Sequence, residues 1–230
     1  MFATLPPPAQ RLLVFARLPE LGKVKSRLAE SIGAEKALAV YTAMLRDVLR
    51  AIGDSRDDTE IEIAWAPSDR ANGEVLREAF GSHTLVMQTG SNLGDRLSMA
   101  FSERFFFHRT QKVIAIGVDE PRLSRELIDH AFGLLDSCEW VVGPAIDGGY
   151  YLIGCRAAAF SPAIFSDMPW GTSSVMGTTL NRIRERGHTA ALLPSRYDID
   201  VIEDLQRFAA EARDADGELP KLLHDWGIAS

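Results

Sequence analysis

Cysteine is scarce: two in 230 residues. Cys138 and Cys155 form neither a C-x-x-C pair nor a metal-ligand spacing, which argues against a thiolate metal site and leaves free thiols or a single disulfide. Both are read as buried thiols in a reducing compartment. No apolar run approaches the ~18 residues needed to span a bilayer. The opening MFATLPPPAQR lacks the apolar core and A-x-A site of a signal peptide, so a soluble, cytoplasmic protein is expected. Cations are the minority charge, 25 Lys and Arg against 32 Asp and Glu, for a formal net charge of -7. A broad nucleic-acid or anionic-membrane face is therefore not expected. A Walker A loop and a G-x-G-x-x-G dinucleotide turn are missing as well.

The composition is otherwise ordinary for a globular protein, 46% hydrophobic and 25% charged. A chain this long buries roughly 70–75% of its unfolded surface and needs no covalent staples. No internal repeat, low-complexity tract or linker interrupts it, so one domain over residues 1–230 is expected. Residues 1–10 form a stiff, exposed lead-in around Pro6, Pro7 and Pro8.

Apolar patterning alternates in type. RLLVFAR and KVIAIGV are short continuous runs, the mark of strands covered on both faces. TEIEIAWA, TLVMQ, EWVVGPA, GYYLIGCR and TAALLPS read as further strands. Helical spacing runs over residues 33–52, 70–80, 92–107, 124–135, 173–186 and 201–213. Strand–helix alternation predicts an α/β fold with a mainly parallel sheet and helices on both faces. Ligands in such sheets bind outside the carboxyl ends of the strands, so the turns after each strand carry the functional signal.

Five turns stand out. In PELGKVKSRLAE, Gly22 is followed by Lys23, Lys25 and Arg27 at every second position. In an extended loop that spacing aims all three side chains the same way, as either a solvated charged helix start or a phosphate cradle. In IGVDEPRLS, Asp119 and Glu120 end the most hydrophobic strand. A carboxylate there suits a hard divalent cation, Mg²⁺ or Mn²⁺; the alternative is a turn in which Ser124 caps the next helix. In GPAIDGGYYLIG, Asp147 precedes Gly148 and Gly149, a hairpin signal that also permits close approach to a substrate. In QTGSNLGDRLSMAF, Ser91 or Asn92 is a natural N-cap and Asp95 suits the first turn, while Gly94 and Arg96 are candidates to contact a base or phosphate. The last signal is paired, MPWGTSS and YDIDVIEDL. Thr172 or Ser173 caps a helix, Trp170 is core or a stacking wall, and Asp200 is a cap or a second metal-directed carboxylate.

In this order, VFARLPELGKVKSRLA, NLGDRLSMAF, IGVDEP, GPAIDGGYYLIG, MPWGTSSV and DIDVIEDL resemble a bacterial GT-A-like family. It includes arsenosugar-biosynthesis-type glycosyltransferases and belongs to the nucleotide-diphospho-sugar transferase superfamily. The resemblance runs from Leu12 to Leu205. It implies a Rossmann-like, three-layer α/β/α fold with a mixed, mostly parallel sheet, and a nucleotide bound over the first loop. By the same resemblance, Gly22, Lys23, Lys25 and Arg27 match the phosphate loop, Asp119 the metal-site aspartate, Asp200 the second acidic position, and Asp147 the family's Asp-Gly-Gly. Val118 and Glu120 depart from the small residue and the Cys or Ser usual beside the metal aspartate, so Glu120 either adds a ligand or repels phosphate. Val201 and Ile202 replace a Thr-Pro.

The implied activity is metal-dependent transfer from a nucleotide donor to a small-molecule acceptor. Lys25, Asp119 and Asp147 are the catalytic candidates, and Asp147, Gly148, Gly149, Trp170 and Thr172 the acceptor pocket. Sugar transfer leads, nucleotidyl transfer with pyrophosphate release is the alternative, and a catalytically degenerate nucleotide-binding module is a third reading. The aromatic stretch RFFFHR is either plain core or a contact surface for a homodimer.

Overall fold

A computed structural model describes residues 9–56, 58–212 and 215–228. Pro6, Pro7 and Pro8, and Arg213 at the end of the last expected helix, fall outside these. The first strand, β1 (Gln10–Ala16), is the expected apolar run, and its side chains alternate between two cores because successive residues face opposite sides of the sheet. Leu12 and Val14 enter one core, while Leu13 enters the other.

The helices α1 (Ser26–Ile32) and α2 (Ala34–Ile52) follow, then β2 (Thr59–Trp65), α3 (Gly73–Phe80), β3 (Thr84–Met87) and α4 (Leu93–Phe106). The second half holds β4 (Lys112–Ile116), α5 (Arg125–Leu134), β5 (Trp140–Pro144), β6 (Tyr150–Arg156), α6 (Val175–Glu185), β7 (Ala190–Leu192), α7 (Ile202–Glu211) and α8 (Glu218–Asp225). The strands form one seven-stranded sheet in the order β3-β2-β1-β4-β6-β5-β7. β1 pairs in parallel with β2 and β4, β2 with β3, and β5 with β7, whereas β6 runs antiparallel to both neighbours. This is the expected mixed, mostly parallel sheet. Strand order reverses beside β1, whose two neighbours are β2 and β4, and such a switch point opens a crevice at the carboxyl ends.

One face of the sheet is covered by α2, α3 and α5, through residues such as Leu45, Val48, Phe80, Ile128 and Phe132. The other is covered by α4, α6 and the turns at residues 157–165, through Phe101, Phe105, Phe165 and Ile183. A third cluster lies among helices and the segment before α7, which adds Tyr197 and Ile199. Leu28 of α1 and Val40 and Met44 of α2 pack with Leu205 and Phe208 of α7 and Leu219 and Leu223 of α8. Among the described residues no helix is long and apolar enough to cross a membrane.

Several local expectations are corrected. α1 and α8 are additional helices, and α7 stops at Glu211 because the chain turns to bring α8 back onto α2. Asn92 and Ser124 cap α4 and α5 through side-chain oxygens that accept backbone N–H groups. Neither Thr172 nor Ser173 caps α6. Its N-cap is Ser174, whose side chain makes no capping bond, and the Thr172 hydroxyl donates back to the Pro169 carbonyl at 2.8 Å. Of the three consecutive phenylalanines only Phe105 is core. Phe106 and Phe107, at the C-terminal end of α4, are 72% and 82% exposed. Cys155 is buried as expected, Cys138 only half-buried, and both are free.

Candidate active site

At the switch point, the carboxyl ends of β1 and β4, the N-terminal turn of α4 and the segment before α7 enclose a cavity of about 740 Å³. Of the residues expected in a site, Lys23, Lys25, Arg27, Arg96, Asp119 and Asp200 line it. Gly22, Gly94, Asp147, Gly148, Gly149, Trp170 and Thr172 lie outside its lining.

The three cations of the first loop do not point the same way. Gly22 sits in an exposed turn at φ 73°, and the Lys23 N–H is spent on the Glu20 carbonyl at 3.0 Å. Lys25 then adopts the left-handed conformation (φ 47°, ψ 46°) at the start of α1, so the loop is not extended and the every-second-residue geometry fails. Lys23 and Arg27 remain exposed, while the Lys25 side chain is 4% exposed. Its ammonium donates to Asp200 Oδ1 at 2.9 Å and is also paired with Asp119 Oδ1. Burial pulls the Lys25 pKa down, but the charges and hydrogen bonds of the two aspartates outweigh it, and the net shift is upward.

Asp119 reaches this position because β4 ends just before it. Asp200 reaches it because the chain after β7 is zipped along neighbouring backbone. The Leu193 N–H donates to Val142, Arg196 to Pro144, and Ile199 to the Asp119 carbonyl at 2.9 Å. The backbone N–H groups of Asp200 and Val201 donate to Asp204 Oδ2, each at 3.0 Å, so Asp204 closes the start of α7 and the Asp200 carboxylate is left for Lys25. Asp200 is therefore not the helix cap.

The same zipper places Asp198, which stands two residues before Asp200 and is not among the expected site residues. Burial first, then the neighbouring carboxylates of Asp119, Asp200 and Asp147, push its pKa up to about 7 against the opposing pull of Lys25. Its Oδ1 is buried with no hydrogen-bond partner among the described residues. The Asp-x-Asp spacing of 198 and 200 is the sequence signal that could have found it, since an extended segment points both side chains to one side.

Glu120 also lines the cavity, but its side chain is fully buried and already paired. Its carboxylate turns inward and accepts from Arg122 Nη2 at 2.6 Å and Nε at 2.8 Å, with Arg196 3.8 Å away. On the opposite wall, Gln88 donates to the Ala64 carbonyl at 2.6 Å and accepts from Arg96 at 3.3 Å, which anchors that guanidinium beside the cavity. Gly94 is explained by packing, because a side chain there would meet the Phe165 carbonyl and the Trp170 indole.

Asp147, Gly148 and Gly149 form the turn of the β5–β6 hairpin, where Asp147 Oδ1 accepts the Gly149 N–H at 2.9 Å. Gly148 has φ 91°, and any side chain on it would strike the Ser173 backbone. The Met176 N–H donates to the Gly148 carbonyl at 2.9 Å, so the turn is clamped to the start of α6. Trp170 is half-buried and meets Tyr150, which lines the cavity, edge to face with ring centroids 6.2 Å apart.

A family model described as an uncharacterized protein conserved in bacteria (DUF2064) matches residues 51–172, more than half of the chain. Comparison with curated proteins gave no match. A provisionally assigned nucleotide-diphospho-sugar transferase from Desulfovibrio desulfuricans G20 is similar over 96% of this chain and 97% of its own, at 30% identity and a TM-score of 0.90. A cytidylyltransferase from Leptospira borgpetersenii serovar Hardjo-bovis shares the fold at a TM-score of 0.59 and 11% identity, over 96% of this chain and 97% of its own. A 4-diphosphocytidyl-2C-methyl-D-erythritol synthase from Anaerococcus prevotii does so at 0.55 and 12%, over 87% and 94%. The chain belongs to the DUF2064 family.

Proposed function

We propose that this DUF2064 member is a transferase that moves a sugar from a nucleotide-diphospho-sugar to a small-molecule acceptor. One observation carries the reading: a buried ammonium, Lys25, sits against two carboxylates at the switch point, in the wall of a cavity of nucleotide size. The resemblance at 30% identity to a provisionally assigned nucleotide-diphospho-sugar transferase supports it.

A diphosphate carries two to three negative charges and needs compensation both to bind and to leave. Arg17, Lys23, Lys25, Arg27 and Arg96 are the cations that line the cavity for it. The residues present also fit a divalent cation. Asp119 and Asp200 offer hard oxygen donors, and the orphaned Asp198 Oδ1 lies in the same acidic group. Among the described residues no three such side chains form a ready cage, and Lys25 is paired with both Asp119 and Asp200. A bound Mg²⁺ or Mn²⁺ would supply charge stabilisation for the departing diphosphate. The acceptor oxygen attacks the anomeric carbon, the bond to the diphosphate oxygen breaks, and the nucleoside diphosphate leaves with the electron pair. We assign the acceptor's proton to Asp147, on the hairpin beside this acidic group.

The test is a thermal-shift panel of UDP-, GDP-, dTDP- and CDP-sugars and the four NTPs, with and without Mn²⁺, followed by product analysis. Binding at a hundredfold excess over Kd stabilises by about 2.7 kcal/mol. The expected result is a Mn²⁺-dependent shift with one donor, release of nucleoside diphosphate, and a loss on the order of a hundredfold or more in kcat for Asp119→Asn. Release of pyrophosphate would replace sugar transfer by nucleotidyl transfer. Silence across the panel would refute both.

A further inference from the structure

We propose that Lys25 is a built-in occupant of the cation position, and that it must leave Asp119 and Asp200 before a divalent cation can take them. The inference rests on the reading above, in which those two aspartates are the cation's ligands.

Three observations carry it. The ammonium contacts one oxygen of each aspartate, so it stands between the two groups that would ligate the cation. Its side chain is buried at 4% exposure while its neighbours Lys23 and Arg27 are exposed, and the difference arises at a left-handed backbone turn that a lysine adopts only at some cost. Finally, a single ammonium is set against the two carboxylates of Asp119 and Asp200, so the pair remains short of positive charge and favours a divalent replacement. An ammonium and a divalent ion at contact distance from the same oxygens repel strongly in a partly buried site. They cannot share it.

Lys25 also lines the cavity, so an ammonium released from the aspartates has somewhere to go. What it needs there is an anion, and a phosphate group supplies one. Phosphate draws Lys25 away from the carboxylates, and the cation fills the place it left. The two ligands then promote each other's binding by the same factor, as linkage requires. Cation alone binds poorly, so the carboxylates are committed only when a phosphorylated ligand is present.

The experiment measures Mn²⁺ alone, by the loss of the free-ion paramagnetic resonance signal, on the full chain with no nucleotide added. Lys25→Met should bind Mn²⁺ on the order of tenfold or more tighter than the wild type, because the competitor is gone. Lys23→Met, which removes the same charge from an exposed neighbour, should leave the affinity unchanged. Adding Asp119→Asn to Lys25→Met should abolish the gain. Equal affinities in the wild type and Lys25→Met, with both lost in Asp119→Asn, would overturn the inference while leaving the cation site standing. No Mn²⁺ binding by any of the proteins would overturn both. Should Lys25→Met fail to fold, amine labelling of the wild type decides the matter: saturating Mn²⁺ is expected to raise modification of Lys25, and unchanged labelling would refute the displacement.

Discussion

Replacing Asp198 by Asn should make the metal-free protein more stable above neutral pH and leave it nearly unchanged near pH 4. The Asp198 carboxyl is pushed up to about 7 by burial and by three neighbouring aspartates, whereas in an unfolded chain it ionises near 3.9. Between those values the folded protein keeps the proton and the unfolded chain has released it, so raising the pH favours unfolding. The stabilising protonated form is fully present below about 4, and its contribution is lost by about 7. Three pK units correspond to a ceiling of about 4 kcal/mol. Asp198 is half-buried and water relaxes around it, so a cost of about 1–3 kcal/mol is the expected magnitude at pH 8. Asn keeps the shape and cannot ionise, and it should recover that amount at pH 8. Urea unfolding of both proteins in EDTA at pH 4, 6 and 8 gives the comparison. Parallel stability–pH curves for the two would refute the reasoning, and would mean that Asp198 is charged in the fold at neutral pH.

Two further predictions test the scaffold. Gly148→Ala places a methyl against the Ser173 backbone at φ 91°, and should cost about 2 kcal/mol or more, read as a lower Tm, by prising the hairpin turn from the start of α6. Phe105→Ala should cost about 3–5 kcal/mol in urea unfolding, while Phe107→Ser on the exposed surface beyond it should change stability by less than about 0.5 kcal/mol; comparable losses would show that Phe107 is covered in solution.

The strands were legible where burial is two-sided. β1 and β4 have apolar side chains on both faces, and a short continuous apolar run bounded by polar residues fits little besides a covered strand. Asp119 was legible for the same reason, being the first carboxylate past such a run. α1 and α8 were not. Seven residues with one buried apolar position, Leu28, give too little periodicity to read. In α8 Pro220 looks like a breaker, yet it stands in the first turn, where its missing N–H costs nothing. Their helical form is decided by the cluster they share with α2 and α7, and that packing is not local. The buried charges were equally hidden. Glu62 on β2 is held by Arg11 on β1 and Arg104 on α4, and each looks like a surface residue in its own stretch of sequence.

Lys25 shows how a residue expected at the cavity can reach it by a geometry the sequence did not suggest. An extended loop would present three equivalent cations to one phosphate. A single left-handed residue breaks that equivalence. Nothing in the local sequence announces it, since left-handed backbone is the habit of glycine and Lys25 is not one. The conformation is held from outside, by Asp119 on the loop after β4 and Asp200 before α7, so it appears only once the sheet has brought those segments together. The consequence is chemical as well as structural. Lys23 and Arg27 stay exposed, whereas Lys25 is already paired and, in the proposed function, meets a phosphate only by giving up two carboxylates. The loop that looked like three copies of one function therefore divides into two exposed cations and one buried, paired cation, and under the proposed displacement only the buried one must be released by the ligand.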